Sequence, residues 1–330
     1  MNQFSSGRAA SIGAAILSAS IMGDAMAQLV PDRLYYGAGR SIPMTIEAPS
    51  GAGAVEIALF APGATEPSER ASAEAGRVDL AGLFPVLWTT QKPALLYAQL
   101  IVDGEKVGSP VVLQPLLPPA QAMTSQTRRI EWVERRDGPY SGLRAYVDQH
   151  VLLETSLGEI EIRMRPDQAP NTVYNFMDLV DGGFYTDVIF HRIVPSLPNG
   201  HSFVIQVGDP GGRGDGGPGY LIDLERSTLP HDFGVVSMAR TADPNTNGSQ
   251  IFICLSRQGT APLDGDYCAF GQTVRGAEAI QAISAVPLAD PGSGRPVEPP
   301  VIKSARLIPA PPFGEGPGPV QANAAAPAPR

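Results

Sequence analysis

Between residues 29 and 117, short apolar runs alternate with turns rich in glycine and proline. The alternation predicts strands over residues 42–47, 54–60 and 95–102. Asp103-Gly104 then makes a tight turn into Lys106-Val107, with Val111 to Leu113 following, a hairpin signature. With no convincing helix among them, these strands predict a small antiparallel β-sandwich-like domain over residues 28–117. Farther on, residues 151–164 alternate around Leu157-Gly158 and predict a second hairpin. Pro170 can open a helix carrying Val173, Phe176, Met177 and Val180 on one face, ended by Gly182-Gly183. A second helix is expected over residues 276–286, with Ile280 and Ile283 inward. Strands and glycine loops fill the space between, so the second half reads as mainly β, a closed antiparallel barrel capped by two helices.

Texture divides the rest. Pro115, Pro118 and Pro119 open a stretch of mixed charge that predicts a linker over residues 118–146. Residues 309–330 are nearly all proline, alanine and glycine and predict a disordered tail. At the other end, Arg8 precedes an apolar stretch over residues 9–22, and Ala25-Met26-Ala27 has the small-x-small pattern of a signal-peptidase site. Ser11, Gly13, Ser18 and Ser20 break that stretch, leaving it too short and polar to span a bilayer. Residues 1–27 therefore predict a cleaved signal peptide and an exported protein without a membrane span after cleavage; a monomer is expected. Its location would be the periplasm or extracellular space of a bacterium, or the secretory route of a eukaryote.

Composition narrows the chemistry. The chain has 330 residues, 43% hydrophobic and 17% charged, a globular composition that allows two domains. Its net charge of −9 includes no basic block, which argues against nucleic acid as a partner. Cys254 and Cys268 read as small buried residues, although in an exported chain they could pair. Neither they nor His150, His191, His201 and His231 show metal-ligand spacing, so no metal or cofactor is expected.

Three segments carry the specific signal: Phe190 through Val194, Phe203 through Asp209, and Ser237 through Arg240 continuing into Asn245 through Ile253. Leu263 through Gly271 follows them. In this order and spacing, residues 147–308 resemble the cyclophilin family of peptidyl-prolyl cis-trans isomerases. The resemblance implies a β-barrel, proline-containing polypeptides as clients, and Arg192 as the catalytic arginine facing the prolyl amide. It further implies that Phe203, Val204, Phe252 and Leu263 form the proline socket, and that Gln206 and Gln250 position Arg192 and the substrate backbone. Ala239, Arg240 and Asn245 would accept the residues before proline, and Tyr267 would offer a hydroxyl to the substrate carbonyl. Such residue types suit the reaction. Amide resonance sets a rotation barrier of ~18–20 kcal/mol, and no bond is broken. An apolar socket, flanking donors and one cation suffice to favour the twisted amide. His191, next to Arg192 on a strand, would point the opposite way and reads as structural.

The chain departs from the family pattern in places. Residues 193–202 make a longer connection than relatives use, and the segment 256–261 is slightly longer too. Val207 stands where the usual residue is glycine. Pro262 precedes Leu263 where many eukaryotic members carry the tryptophan linked to tight cyclosporin binding. A catalytically weak proline-peptide binding module or chaperone is the alternative these departures suggest. Gly212 through Gly217 spells GxGxxG, but Pro218-Gly219-Tyr220 continues a loop where a dinucleotide site needs a helix.

Overall fold

The computed structural model describes residues 27–48, 51, 53–127, 129–134 and 139–322. Apart from Ala27, the signal-peptide reading lies outside the described residues.

The chain opens with β1 (Gln28–Pro31), β2 (Tyr35–Gly37), β3 (Pro43–Glu47), β4 (Val55–Phe60), β5 (Glu69–Ala73) and β6 (Gly76–Asp79). Two single-turn helices follow, α1 (Leu80–Leu83) and α2 (Val86–Thr89), then β7 (Leu96–Val102) and β8 (Glu105–Pro115). Next come β9 (Gln121–Thr124), β10 (Ile130–Val133) and β11 (Gly142–Val147). A three-stranded sheet, β1-β3-β6, faces a six-stranded one, β2-β11-β8-β7-β4-β5. Leu29, Met44 and Ile46 from the first meet Ile57, Leu100, Val111 and Leu113 from the second in one buried cluster. Asp103 and Gly104 both take positive φ, 52° and 86°, the backbone that a two-residue hairpin turn requires. The helices α1 and α2 were not legible as periodic segments because a single turn has no period. Asp79 starts α1, its Oδ1 accepting the Ala81 N–H at 3.1 Å.

The described residues of the stretch expected to be a linker include three strands. β11 is an interior strand of the six-stranded sheet, between β2 and β8. β9 and β10 pair as a hairpin whose Ala122, Ile130 and Trp132 pack into the core of the following unit. Alternating charge hid these strands, because only one face of the hairpin is covered.

That following unit comprises β12 (Gln149–Thr155), β13 (Gly158–Met164), α3 (Pro170–Asp181), β14 (Val188–Ile189), β15 (Arg192–Val194), β16 (Val204–Val207) and β17 (Val235–Met238). It continues with β18 (Ile251–Cys254), α4 (Arg257–Thr260), β19 (Ala269–Arg275), α5 (Ala277–Ser284), β20 (Leu288–Asp290), β21 (Arg295–Pro296) and β22 (Val301–Pro309). Nine strands form one antiparallel sheet in the order β14-β22-β12-β13-β19-β17-β18-β16-β15. The two edges, β14 and β15, are neighbours in the chain, separated by residues 190 and 191. The sheet therefore curls back on itself as the expected mainly β, helix-capped architecture, with no ladder joining its two edges among the described residues. Helix α3 caps the interior with Val173, Phe176, Met177 and Val180, and α5 with Ile280 and Ile283. Both cysteines are free and buried, Cys254 on β18 and Cys268 just before β19.

Part of the tail expected to be disordered is packed, as far as Val320. The Phe313 ring lies 4.7 Å from Phe60 and 4.9 Å from Tyr97, covering the outer face of the six-stranded sheet. Its N–H donates to Gln99 Oε1 at 2.7 Å, and Lys106 Nζ donates to its carbonyl at 2.7 Å. Val320 N–H then reaches the Thr273 carbonyl at 2.9 Å. Composition predicted too little to bury, yet Phe313 over an open apolar sheet face, together with these hydrogen bonds, fastens the strap.

Asp148 lies where the two units meet, its N–H donating to the Pro110 carbonyl at 2.8 Å. Burial pushes its carboxyl from 3.8 up to about 7, with Arg163 opposing the shift. The folded chain thus holds a proton there that the unfolded chain releases above pH 3.8. This group's stabilisation is complete below that pH and is lost as pH rises through 7. We expect Asp148→Asn to be more stable than the parent by about 2 kcal/mol at pH 8, the gain shrinking toward pH 4. Urea denaturation at the two pH values measures it, and parallel pH profiles would refute it.

Candidate active site

Antiparallel register assembles the site as a row across four strands. Arg192 on β15 pairs with Gln206 on β16, Gln206 with Phe252 on β18, and Phe252 with Ser237 on β17. Alternation then separates two faces. Ile193, Ile205, Val207, Ile251, Ile253, Val236 and Met238 point into the interior. Val204, Phe252, Cys254, Val235 and Ala269 form a separate cluster on the outer face, with Phe203, Ala239, Leu263 and Tyr267 around it.

On that face lies a socket of about 190 Å³, lined by Arg192, Phe203, Val204, Gln206, Ala239, Arg240, Phe252, Leu263 and Tyr267. Nine of the eleven residues singled out from the sequence thus meet in one depression. Gln250 lines an adjoining cavity of about 450 Å³, which shares Gln206, Ala239 and Arg240 with the socket. Asn245 lines neither. Its side-chain N–H donates to the Ala122 carbonyl at 3.0 Å and its oxygen accepts the Leu224 N–H at 3.2 Å, so it faces the β9–β10 hairpin instead. The long connection after Arg192 does not fill the socket. It folds back on itself, Leu197 N–H to the His201 carbonyl at 2.8 Å, and Ser256 Oγ ties down its end at the Ser202 carbonyl.

Arg192 is held from two sides. Its strand is a sheet edge, splinted by Ile193 N–H donating to the Gly294 carbonyl at 2.7 Å. Its Nη1 donates to Gln206 Oε1 at 3.1 Å, Gln206 Nε2 to Gln250 Oε1 at 2.9 Å, and Gln250 Nε2 to the carbonyls of Gly214 and Gly216. The chain of amides runs from the cation to the glycine-rich wall of the larger cavity. On the other rim, the Arg240 guanidinium sits 4.5 Å over the Tyr267 ring and donates to the Asp266 carbonyl. The Tyr267 ring in turn meets Phe252 edge-on at 5.7 Å.

Two organising residues escaped the sequence reading. Asp209 is fully buried, and its carboxylate accepts the N–H groups of Gly211, Arg213 and Gly214 at 2.7, 2.9 and 2.6 Å. Burial opposes its charge, but these amides prevail and hold its pKa low. An aspartate followed by a run of glycines is the signal that could have revealed this nest. Gly208, just before it, has φ +103° and would press a Cβ onto the Ser249 carbonyl, so only glycine fits. The second organiser is His231, whose ring stacks 6.0 Å from Phe252. Its Nδ1 pairs with Asp264 Oδ1 at 2.9 Å and its Nε2 with Ser237 Oγ at 3.0 Å. The order Ser-His-Asp imitates a hydrolase triad. Ser237 is completely buried, however, so no substrate reaches it, and the group is a strut behind the socket. Among the described residues, no cluster of three His, Cys, Asp or Glu side chains is placed to hold a metal ion.

The curled antiparallel sheet places a cation beside an apolar socket on its outer face, and comparison with known proteins makes the class specific. Residues 150–307 match the cyclophilin type peptidyl-prolyl cis-trans isomerase family. A peptidyl-prolyl cis-trans isomerase of Schizosaccharomyces pombe is 40% identical over 164 residues, 48% of this chain and 99% of that protein. One from Synechococcus elongatus is 46% identical over 122 residues, covering 37% of this chain and 78% of the relative. Against the longer peptidyl-prolyl cis-trans isomerase-like 2 of Cryptococcus neoformans, identity is 37% and the match covers only 27% of the relative's length. A crystal structure of a Cryptosporidium parvum cyclophilin type isomerase, determined in the presence of the dipeptide Ala-Pro, is 33% identical over 48% of this chain and 99% of its own, with a TM-score of 0.44. This chain belongs to the cyclophilin-type peptidyl-prolyl cis-trans isomerases.

Proposed function

We propose that the chain accelerates rotation about X–Pro bonds in polypeptide clients, with the proline ring in the Phe203, Val204, Phe252 and Leu263 socket and Arg192 facing the prolyl nitrogen. The observation that carries this reading is the presence of Arg192 and those four residues in one depression, the guanidinium oriented by Gln206 at 3.1 Å. As the imide twists, conjugation is lost and the nitrogen gains a lone pair. A guanidinium N–H interacts with that lone pair in the twisted state far better than with the planar one, which lowers the barrier. Gln206, Gln250, Ala239 and Arg240 hold the flanking backbone, and Tyr267 donates to a substrate carbonyl. The larger cavity takes the residues beside proline.

The test is cis-to-trans relaxation of a short X–Pro peptide with the full chain. We expect rates well above those in buffer and proportional to protein concentration. Peptide-induced NMR shifts without any acceleration would replace catalysis by binding, and neither response would end both readings.

The clients we propose are exported proteins, a reading supported by the pattern of residues 8–27 alone. Protein recovered from its native cells would then begin at Gln28. A cytoplasmic chain retaining residues 1–27 would overturn it.

A further inference from the structure

We infer that the β9–β10 hairpin, which lies outside the family-matched residues 150–307, is a working part of the substrate groove: it holds Asn245 and thereby sets the shape of the loop over residues 239–247. The inference rests on the groove assignment just proposed. Two ends of this loop have different neighbours. Ala239 and Arg240 line the socket, and Thr241 and Thr246 line the larger cavity. At the back, Asn245 Nδ2 donates to the Ala122 carbonyl at 3.0 Å, the only hydrogen bond described between this loop and the hairpin.

The hairpin is itself firmly seated. Ala122 is 1% exposed within the barrel core, and Ile130 and Trp132 pack beside it. Arg226 stacks over the Trp132 ring at 5.0 Å while pairing with Glu134 at 2.9 Å. Rigidity passes from there through the loop. Asn245 N–H donates to Asp243 Oδ1 at 2.9 Å, and Thr246 Oγ1 accepts the Thr241 N–H at 3.0 Å. The Ala239 N–H then donates to the Gln250 carbonyl at 2.9 Å, beside the amide chain that orients Arg192. Asn245 must accept from Leu224 N–H and donate to a carbonyl at once. An amide does both, whereas an ionised carboxylate only accepts. Asn245 is accordingly a positioning residue.

Four proteins test this with a proline peptide long enough to fill both cavities: the parent, Asn245→Asp, a variant of the whole chain with residues 120–134 replaced by a short glycine-serine linker, and the two changes combined. Loss of one supporting hydrogen bond should raise KM about five-fold while kcat stays near the parent value. Combining the two changes should do no more than either alone, because both remove the same support. Amide NMR signals of Ala239, Arg240 and Thr241 should shift alike in both variants. An unchanged KM in Asn245→Asp, or full additivity in the combined protein, would overturn the inference. Should the linker variant not fold, Arg226→Ala, which loosens the hairpin without removing it, takes its place with the same expectations. An inactive parent protein would instead refute the functional reading, so the two failures are distinct.

Discussion

Arg192→Ala should lower kcat/KM for X–Pro isomerisation by about 100- to 1000-fold while leaving the fold intact, the loss typical of removing one preorganised charged donor from a transition state. The side chain is partly exposed and anchored by a single side-chain partner, Gln206, so truncation opens no cavity in the core. The loss should fall on kcat, because the guanidinium meets the nitrogen lone pair only when the imide is twisted. Arg192→Lys keeps the charge but gives up the planar fork that both grips Gln206 Oε1 and addresses the nitrogen, and it should recover only part of the rate. NMR-detected exchange on a proline peptide separates the outcomes, since socket binding persists without the arginine. A variant with parent-level kcat/KM would remove Arg192 from the reaction.

Much of this site was legible because its elements are short and regular. The period-two alternation of residues 204–207 and 251–254 puts Val204, Gln206, Phe252 and Cys254 on one face without any knowledge of the partner strands. Asn245 was misread for a physical reason. It lies within the motif, and motif membership says nothing about which way a loop side chain turns. Its direction is decided by Ala122, 123 positions earlier in the chain. The hairpin that supplies Ala122 was hidden in turn, because Glu131, Glu134 and the neighbouring arginines alternate with its apolar positions and read as a solvated linker. The tail failed similarly. Nothing in a Pro/Ala/Gly composition announces that Phe313 has Phe60 and Tyr97 waiting on an otherwise open sheet face. In each case the deciding partner was distant in sequence, and local pattern carries no information about it.

His231 makes the same point energetically, and replacing it should have the largest effect on stability. It is 1% exposed, and four hydrogen bonds converge on it besides the ring pairing with Ser237. Its N–H and Nδ1 both address Asp264 Oδ1, and its carbonyl accepts from Arg257 at 3.0 Å and Thr260 Oγ1 at 2.9 Å. An ionised aspartate only accepts, so the proton sits on Nδ1 and a neutral Nε2 accepts the Ser237 hydroxyl. Burial lowers the histidine's pKa against the opposing pull of Asp264, which keeps the ring neutral. Asp264 follows Leu263 directly, and the His231 ring backs Phe252, so this one side chain ties two walls of the socket together. His231→Phe preserves the ring but strands Ser237 without its acceptor and takes the Nδ1 donor from Asp264, which keeps only the backbone N–H of residue 231 and Arg257. We expect a loss of about 3 kcal/mol in urea unfolding and a KM raised more than kcat is lowered. The pH dependence gives a second readout. A histidine whose folded pKa lies below 6.5 stabilises fully above that pH, and the stability is lost as pH falls, because the unfolded chain takes up the proton first. His150 and His191 are depressed by burial in the same direction, so the three histidines together contribute a loss of stability below pH 6.5 that runs against the gain from Asp148. His231→Phe should flatten that slope without abolishing it. An unaltered slope together with an unaltered KM would mean that the strut behind Phe252 and Leu263 is not what holds the socket open.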